Sequence, residues 1–227
     1  MRNYLLIVLI LLSQSVLAQR SVKAIYFRAP ADAPEKLYLH VGEQVFELLL
    51  PRRSFSRPID LPAGDIVIRI SEKETLPPET PAEETVNLKI PASQKDLLFL
   101  TYPNANQKGP GVAVQPLDAA KVPLGEMMWV NTTTFTVGGT VGSEKIVVRP
   151  GEIKMVDAPA RRGDLNYPVR LDFMPKGTQT QKKLFEGKWP YDHTTRLITF
   201  VTAENDARTP LVTVVQDMNE LRIEEQN

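Results

Sequence analysis

VGEQV, Val41 to Val45, returns as VGGTV, Val137 to Val141, and this return decides how the rest of the chain is read. Two further stretches recur in the same order. LPAGDIVI (Leu61 to Ile68) matches VRPGEIKM (Val148 to Met155), and FLTYPN (Phe99 to Asn104) matches FVTAEN (Phe200 to Asn205), with Val114-Gln115 returning as Val215-Gln216. A conserved order of motifs at long spacing is the mark of an internal duplication. Each matched piece also makes local sense: Gly42 and Gly138-Gly139 can supply the positive φ of a tight hairpin, while Pro62-Ala63-Gly64 and Pro150-Gly151 set up a turn before an alternating strand. The offsets of the three matches, 96, 87 and 101 residues, locate the differences between the halves. The first repeat carries nine extra residues around Pro51 to Asp60, and the second fourteen extra between Ile153 and Leu197.

Working outward from these motifs, the chain reads as nearly all β. Its 19 prolines interrupt helices, and short β-branched runs lie between turn signals. In the first half the runs are Val22 to Tyr26, Leu37 to Val41, Ile66 to Ile70, Val86 to Ile90, Leu97 to Thr101 and Val112 to Gln115. In the second they are Met127 to Asn131, Thr133 to Val137, Lys145 to Arg149, Ile153 to Val156, Val169 to Phe173, Leu197 to Thr202 and Leu211 to Gln216. The pattern predicts two tandem immunoglobulin-like β-sandwich domains, residues 19–122 and 123–227, joined near Leu117 to Gly125. The alternative is a single large jelly roll whose sheets draw on both halves. The Glu- and Pro-rich stretch Glu72 to Glu84 reads as a solvated loop, and Glu220 to Asn227 as a frayed polar tail.

The first eighteen residues have the layout of a secretory signal: Arg2, the apolar run Leu5 to Leu12, and Val16-Leu17-Ala18 ahead of Gln19, which predicts cleavage after Ala18. The apolar run is shorter than the roughly 20 residues a spanning helix needs. No long apolar stretch follows, so the expected location is periplasmic or extracellular. The chain contains no cysteine, which excludes a disulfide framework, a lipidated cysteine and thiolate chemistry. Basic and acidic residues balance at 27 each, and loss of Arg2 tips the mature chain one unit negative. That balance argues against nucleic acid, whose phosphates demand a basic surface.

Few chemistries fit what remains. The two histidines, His40 and His193, stand far apart with no H-x-H or H-E-x-x-H spacing, so no metal site and no cofactor is expected. Ser143 lacks the G-x-S-x-G context of a nucleophile elbow, and Gly138, Gly139 and Gly142 lack the Gly-Lys-Ser/Thr ending of a phosphate loop. Carboxylates such as Glu47 and Asp172 lie on strands, as a glycosidase would need, but no pair stands out. Arg170 and Asp172 alternate with Leu171 and Phe173 as on any half-solvated strand. The candidate binding surface is the excess of the second repeat, the Lys176 to Thr195 loop, which gathers Trp189, Tyr191, Asp192 and His193. Such aromatics suit stacking on sugar rings or gripping a partner protein. The alternative is that Trp189 or Phe185 folds back to cap the sandwich. Asn131-Thr132-Thr133 satisfies the N-glycosylation pattern, and Arg52-Arg53 and Arg161-Arg162 are basic pairs of the kind found in solvated loops.

FRAPADAPEKLYLHVG (Phe27 to Gly42), followed by LPAG (Leu61 to Gly64), resembles an uncharacterised bacterial family of exported β-sandwich proteins of unknown function. MWVNTTTFTVGGTVGSEKIVVRPGE (Met128 to Glu152) is similar to a pattern of uncharacterised secreted bacterial proteins. The resemblance implies an envelope or extracellular location and carries over no catalytic residue. The functional expectation is a non-catalytic binding or structural module of the cell envelope, with an envelope protein or a glycan as partner. Its alternatives are a carbohydrate-binding accessory domain and a small carboxylate-dependent glycan hydrolase.

Overall fold

The computed structural model describes residues 20–77, 79–81, 84–104, 111–157, 165–175, 177–178, 180–203 and 208–218. The export signal, its cleavage point after Ala18, Arg161-Arg162, Lys176 and the polar tail lie outside them. The described residues contain no α-helix. Contacts divide the chain into two compact units, Met1–Arg52 with Ser56–Asp118, and Arg53–Phe55 with Ala119–Asn227. The division follows Asp118, shortly ahead of the expected join at Val122–Pro123.

In the first unit the strands are β1 (Arg20–Tyr26), β2 (Lys36–Val41), β3 (Gln44–Leu49), β4 (Ile59–Leu61), β5 (Ile66–Ser71), β6 (Val86–Ile90), β7 (Asp96–Pro103) and β8 (Val112–Asp118). They form two four-stranded sheets in the orders β4-β1-β7-β8 and β3-β2-β5-β6. A 3-10 turn at Ala119–Lys121 leads into β9 (Met127–Asn131), β10 (Thr136–Val141), β11 (Glu144–Val148), β12 (Ile153–Val156), β13 (Asn166–Met174), β14 (Lys182–Pro190), β15 (Thr195–Thr202) and β16 (Leu211–Met218). Their sheets run β12-β9-β15-β16 and β11-β10-β13-β14. The second unit is the first with every label raised by eight, down to the parallel pair at the centre of one sheet, β1 with β7 and β9 with β15.

The fold is therefore all-β, two β-sandwiches in tandem. Each sheet takes its strands from one half of the chain, so the single jelly roll is not what the sequence builds. In each unit apolar side chains from both sheets close on one core. Val22 and Ala24, Leu37 and Leu39, Leu48, Ile68 and Ile70, Leu97 and Phe99 make the first. Met127 and Trp129, Val137 and Val141, Ile146 and Val148, Val169, Leu171 and Val201 make the second. Alternation along β13 shows how pattern becomes packing: Tyr167, Val169, Leu171 and Phe173 are buried, and Asn166, Pro168 and Arg170 face water.

The two units repeat one strand order, but two of the three sequence matches that suggest a duplication are out of register. The first hairpin turns at Gly42, with φ 59°, and its counterpart turns at Gly142, with φ 60°, each glycine opening a two-residue connection. Val41-Gly42 thus corresponds to Val141-Gly142, not to Val137-Gly138. Gly138 and Gly139 lie inside β10, which consequently spans Thr136–Val141 in place of the expected Thr133 to Val137. A second invariant gives the same spacing at its acceptors, Thr101 and Val201. The Phe27 amide donates to Thr101 O (2.7 Å) and the Thr132 amide to Val201 O (3.0 Å), one hydrogen bond made twice. Matching Phe99 to Phe200 is off by one residue; Phe99 lies in the first core, whereas Val201 and not Phe200 lies in the second. In a strand a slip of one residue exchanges the faces. The third match joins different turns, Pro62-Ala63-Gly64 between β4 and β5 and Pro150-Gly151 between β11 and β12.

With the register corrected, the excess of the second repeat changes character. It is not the Lys176 to Thr195 loop but a long hairpin, β13 and β14 having nine residues each where β5 and β6 have six and five. The longer connection of the first repeat does fall where expected, between β3 and β4.

Candidate ligand-binding groove

The long hairpin and the misplaced glycines belong to one sheet, and together they shape its outer face. Facing outward from β10 are Thr136, Gly138 and Thr140; the inward positions are Val137, Gly139 and Val141. Register puts Gly138 between Val147 of β11 and Asp172 of β13, and Thr140 between Lys145 and Arg170. With no side chain at Gly138, the face sinks to backbone. The result is a groove of about 640 Å³ whose walls carry Lys145, Val147, Arg170, Asp172 and Met174, with Thr136 and Gln181 at one end.

Gly139 is required for a different reason. Its φ is 149°, and a β-carbon there would sit 2.0 Å from the Arg170 carbonyl oxygen. β10 therefore approaches β13 more closely than any other residue allows, beside the bulge that shifts the β13–β14 register between Leu171 and Asp172. At Gly138 the nearest backbone atom, Ile146 O, would be 3.3 Å from a β-carbon, so a side chain fits there with a small adjustment. Its absence leaves the floor open without being demanded by the backbone.

The same place in the first repeat is filled. Tyr38 occupies the position of Gly138, with Lys36 Nζ 5.3 Å from its ring centroid and 2.7 Å from Glu47 Oε2. The Glu47 hydrogen bond, followed by one from Tyr38, holds the Lys36 ammonium above its usual range. In the second repeat Thr136 replaces Lys36, Gly138 replaces Tyr38 and Val147 replaces Glu47, and the groove lies where those three were.

Electrostatically the groove leans positive. Arg170 Nε is 3.9 Å from Asp172 Oδ2, a loose contact on a side chain 64% exposed. Lys145 is exposed and joins no ion pair among the described residues. Glu186, opposite Arg170 in register, is held by Lys183 at 2.5 Å, whose hydrogen bond keeps the Glu186 carboxyl below the usual carboxylate range.

The four residues expected to bind ligand lie elsewhere, at the end of β14 and just after it. Trp189 is half-buried, stacked on Trp129 with ring centroids 6.0 Å apart and planes at 20°. Tyr167 meets it edge-on at 6.4 Å, and Phe185 tilts over it at 5.9 Å. Trp189 caps the core. Tyr191 packs edge-on to Tyr167 at 6.5 Å, and its amide donates to Leu165 O. Asp192 Oδ1 accepts from the Thr194 amide (2.8 Å) and hydroxyl (2.7 Å), closing the turn into β15. His193 is exposed. Neighbours in sequence, these four divide between core margin, turn and surface.

Two other sequence features become structural. Asn131, the acceptor of the glycosylation pattern, is 1% exposed. Its Nδ2 donates to Phe135 O and Val148 O, and its Oδ1 accepts from the Thr133 amide and hydroxyl. Glu47 and Asp172 sit in different units. Among the described residues no group of three or more acids and histidines is placed to hold a metal. No helix among them is long and apolar enough to cross a membrane.

No protein-family model and no curated protein matches the chain.

Sequence reasoning missed the groove because it read Gly138-Gly139 as a turn. The signal was there: Val-Gly occurs at Val137-Gly138 and again at Val141-Gly142, and only the second gives the hairpin the offset that also relates Leu97 to Leu197.

Proposed function

We propose that this chain is a non-catalytic binding module that works outside the cytoplasm and takes its ligand in the groove over Gly138 and Gly139. The observation that carries the reading is the contrast between the repeats. Two copies of one framework differ at the same outward position: Tyr38 fills it in one, and in the other Gly138 leaves there a recess lined with polar and charged side chains. A scaffold needs no such recess, whereas a binding site is a concavity with a few placed polar groups. The signal layout of residues 1–18 and the resemblance to exported bacterial β-sandwich proteins support the location. Against the hydrolase alternative stands the inventory of the groove: Asp172 is its one carboxylate among the described residues, and a glycosidase mechanism uses two flanking the bond.

The test is binding with and without the floor. Gly138→Tyr restores the residue of the first repeat, and calorimetric titration against panels of oligosaccharides and peptides should show binding by the parent and none by the variant. Tryptophan fluorescence checks folding, since both tryptophans of the chain, Trp129 and Trp189, lie in the second unit. Binding that survives Gly138→Tyr sinks the proposal. So does turnover of a bound oligosaccharide that Asp172→Asn abolishes. Cell fractionation with N-terminal sequencing tests export, with Gln19 the expected first residue.

A further inference from the structure

Resting on that reading, we propose that the groove binds an anionic oligosaccharide, a chain bearing carboxylates on its sugar rings. Three features of the face select this chemistry.

The first is its backbone. β10 is paired on both sides, by β11 and β13, and β13 by β10 and β14. An extended peptide gains affinity by adding main-chain hydrogen bonds at a free sheet edge. This floor has no free edge, so a ligand lying in it is recognised through side chains alone. Those side chains are Thr136, Thr140, Gln181, Asp172, Lys145 and Arg170, a mixture of hydroxyl, amide, carboxylate and cationic groups. Such a set donates to and accepts from the vicinal hydroxyls of a sugar.

The second is charge. Lys145 and Arg170 are both register partners of Thr140, so two cations flank one hydroxyl on a single row across the sheet. With neighbouring strands about 4.8 Å apart, the two Cα atoms are about 10 Å apart and their long side chains reach over the recess from opposite walls. Among the described residues Asp172 is the one lining carboxylate, which leaves their side chains an excess of one positive charge in the groove. Beyond the wall, Lys183 and Glu186 neutralise each other. A guanidinium binds a carboxylate through two parallel hydrogen bonds, and Arg170, only loosely held by Asp172, can turn to do so.

The third is the floor itself. Gly138 exposes flat backbone between Val147 and Asp172, with Met174 on the adjoining row beside Thr136, and the apolar face of a pyranose ring can settle there while its carboxylate and hydroxyls reach the walls. The volume, about 640 Å³, is of the size that ligand sites occupy.

The experiment titrates the whole chain with three uronate oligosaccharides (galacturonate, alginate and hyaluronan fragments), with the carboxyl-reduced form of any that bind, and with poly-glutamate. At least one uronate should bind, its reduced form about tenfold more weakly or worse, in line with one lost charge-assisted contact. Lys145→Gln and Arg170→Gln, both at exposed side chains, should each weaken binding several-fold without moving the denaturation midpoint, and added salt should weaken it further. Failure of all three uronates, equal affinity for the reduced form, or tighter binding of poly-glutamate would overturn the inference. Each leaves the groove standing as a site provided Gly138→Tyr abolishes binding of some other ligand. Binding that ignores Gly138→Tyr removes both.

Discussion

Replacing Tyr167 by phenylalanine should stabilise the second sandwich. Tyr167 is 2% exposed, and its hydroxyl has no hydrogen-bond partner among the described residues. The ring packs edge-on to Trp189 and Tyr191, contacts that Tyr167→Phe keeps. A buried hydroxyl without a partner costs about 1–3 kcal/mol, and no hydrogen bond is lost with it. Against this stands the void left by one oxygen atom, so a net gain of about 1 kcal/mol is expected, or about 4–8 °C in Tm for a unit of this size. Alkaline titration provides an independent limb. Burial, and secondarily the neighbouring Tyr191, pushes the Tyr167 hydroxyl well above the usual tyrosine value of about 10. The unfolded chain releases this proton above about pH 10 while the folded one retains it, so stability present below pH 10 is lost as pH rises beyond it. Tyr26 in the first unit is raised in the same sense, by burial first and then by Glu72. Urea denaturation followed by tryptophan fluorescence reads the second unit alone. The phenylalanine variant should unfold at higher urea and lose less stability between pH 9 and 11 than the parent. A variant less stable than the parent by more than about 1 kcal/mol would mean that the hydroxyl is bonded after all, and would refute the reasoning.

Two more substitutions probe how the second unit is held. Asp217 is 1% exposed and pairs with Arg196 Nε at 2.5 Å, while Arg196 Nη1 donates to Ala119 O and Val122 O, tying β15 and β16 to the 3-10 turn. Asp217→Ala removes the buried carboxylate that faces that arginine and should destabilise the second unit by about 3–5 kcal/mol, read from the urea midpoint. Gly139→Ala forces a β-carbon against the Arg170 carbonyl and should cost about 1–3 kcal/mol or more, whereas Gly138→Ala should cost less than about 1 kcal/mol. Similar losses for both glycines would show that Gly138 is a structural requirement rather than an open floor.

Fold class was legible because the information is local. Period-two alternation such as Val169, Leu171 and Phe173 against Arg170 and Asp172 declares a half-buried strand whatever it pairs with. Strand β14, KKLFEGKWP, was not legible: it alternates poorly, ends in proline and lies at a sheet edge, where pairing with β13 rather than its own pattern makes it a strand. The placement of Trp189 was not legible for a related reason. Trp189 is an amphipathic residue with two possible fates, and its choice depends on Trp129, sixty residues earlier in the chain and 6.0 Å away in space.

By itself the amino-acid sequence determined that the fold is all-β, that it is built as two similar halves, and that thiol chemistry is closed to it. These follow from composition, alternation and the order of turns, which need no knowledge of distant contacts. Only the tertiary structure decided the register of the duplication, turned the supposed binding loop into a hairpin that caps its own core, and opened a groove where a turn had been expected. Register depends on which strands pair, and pairing is a long-range choice. A glycine looks the same in sequence whether it turns a hairpin, as Gly142 does with φ 60°, or lies flat within a sheet as the floor of a groove, as Gly138 does.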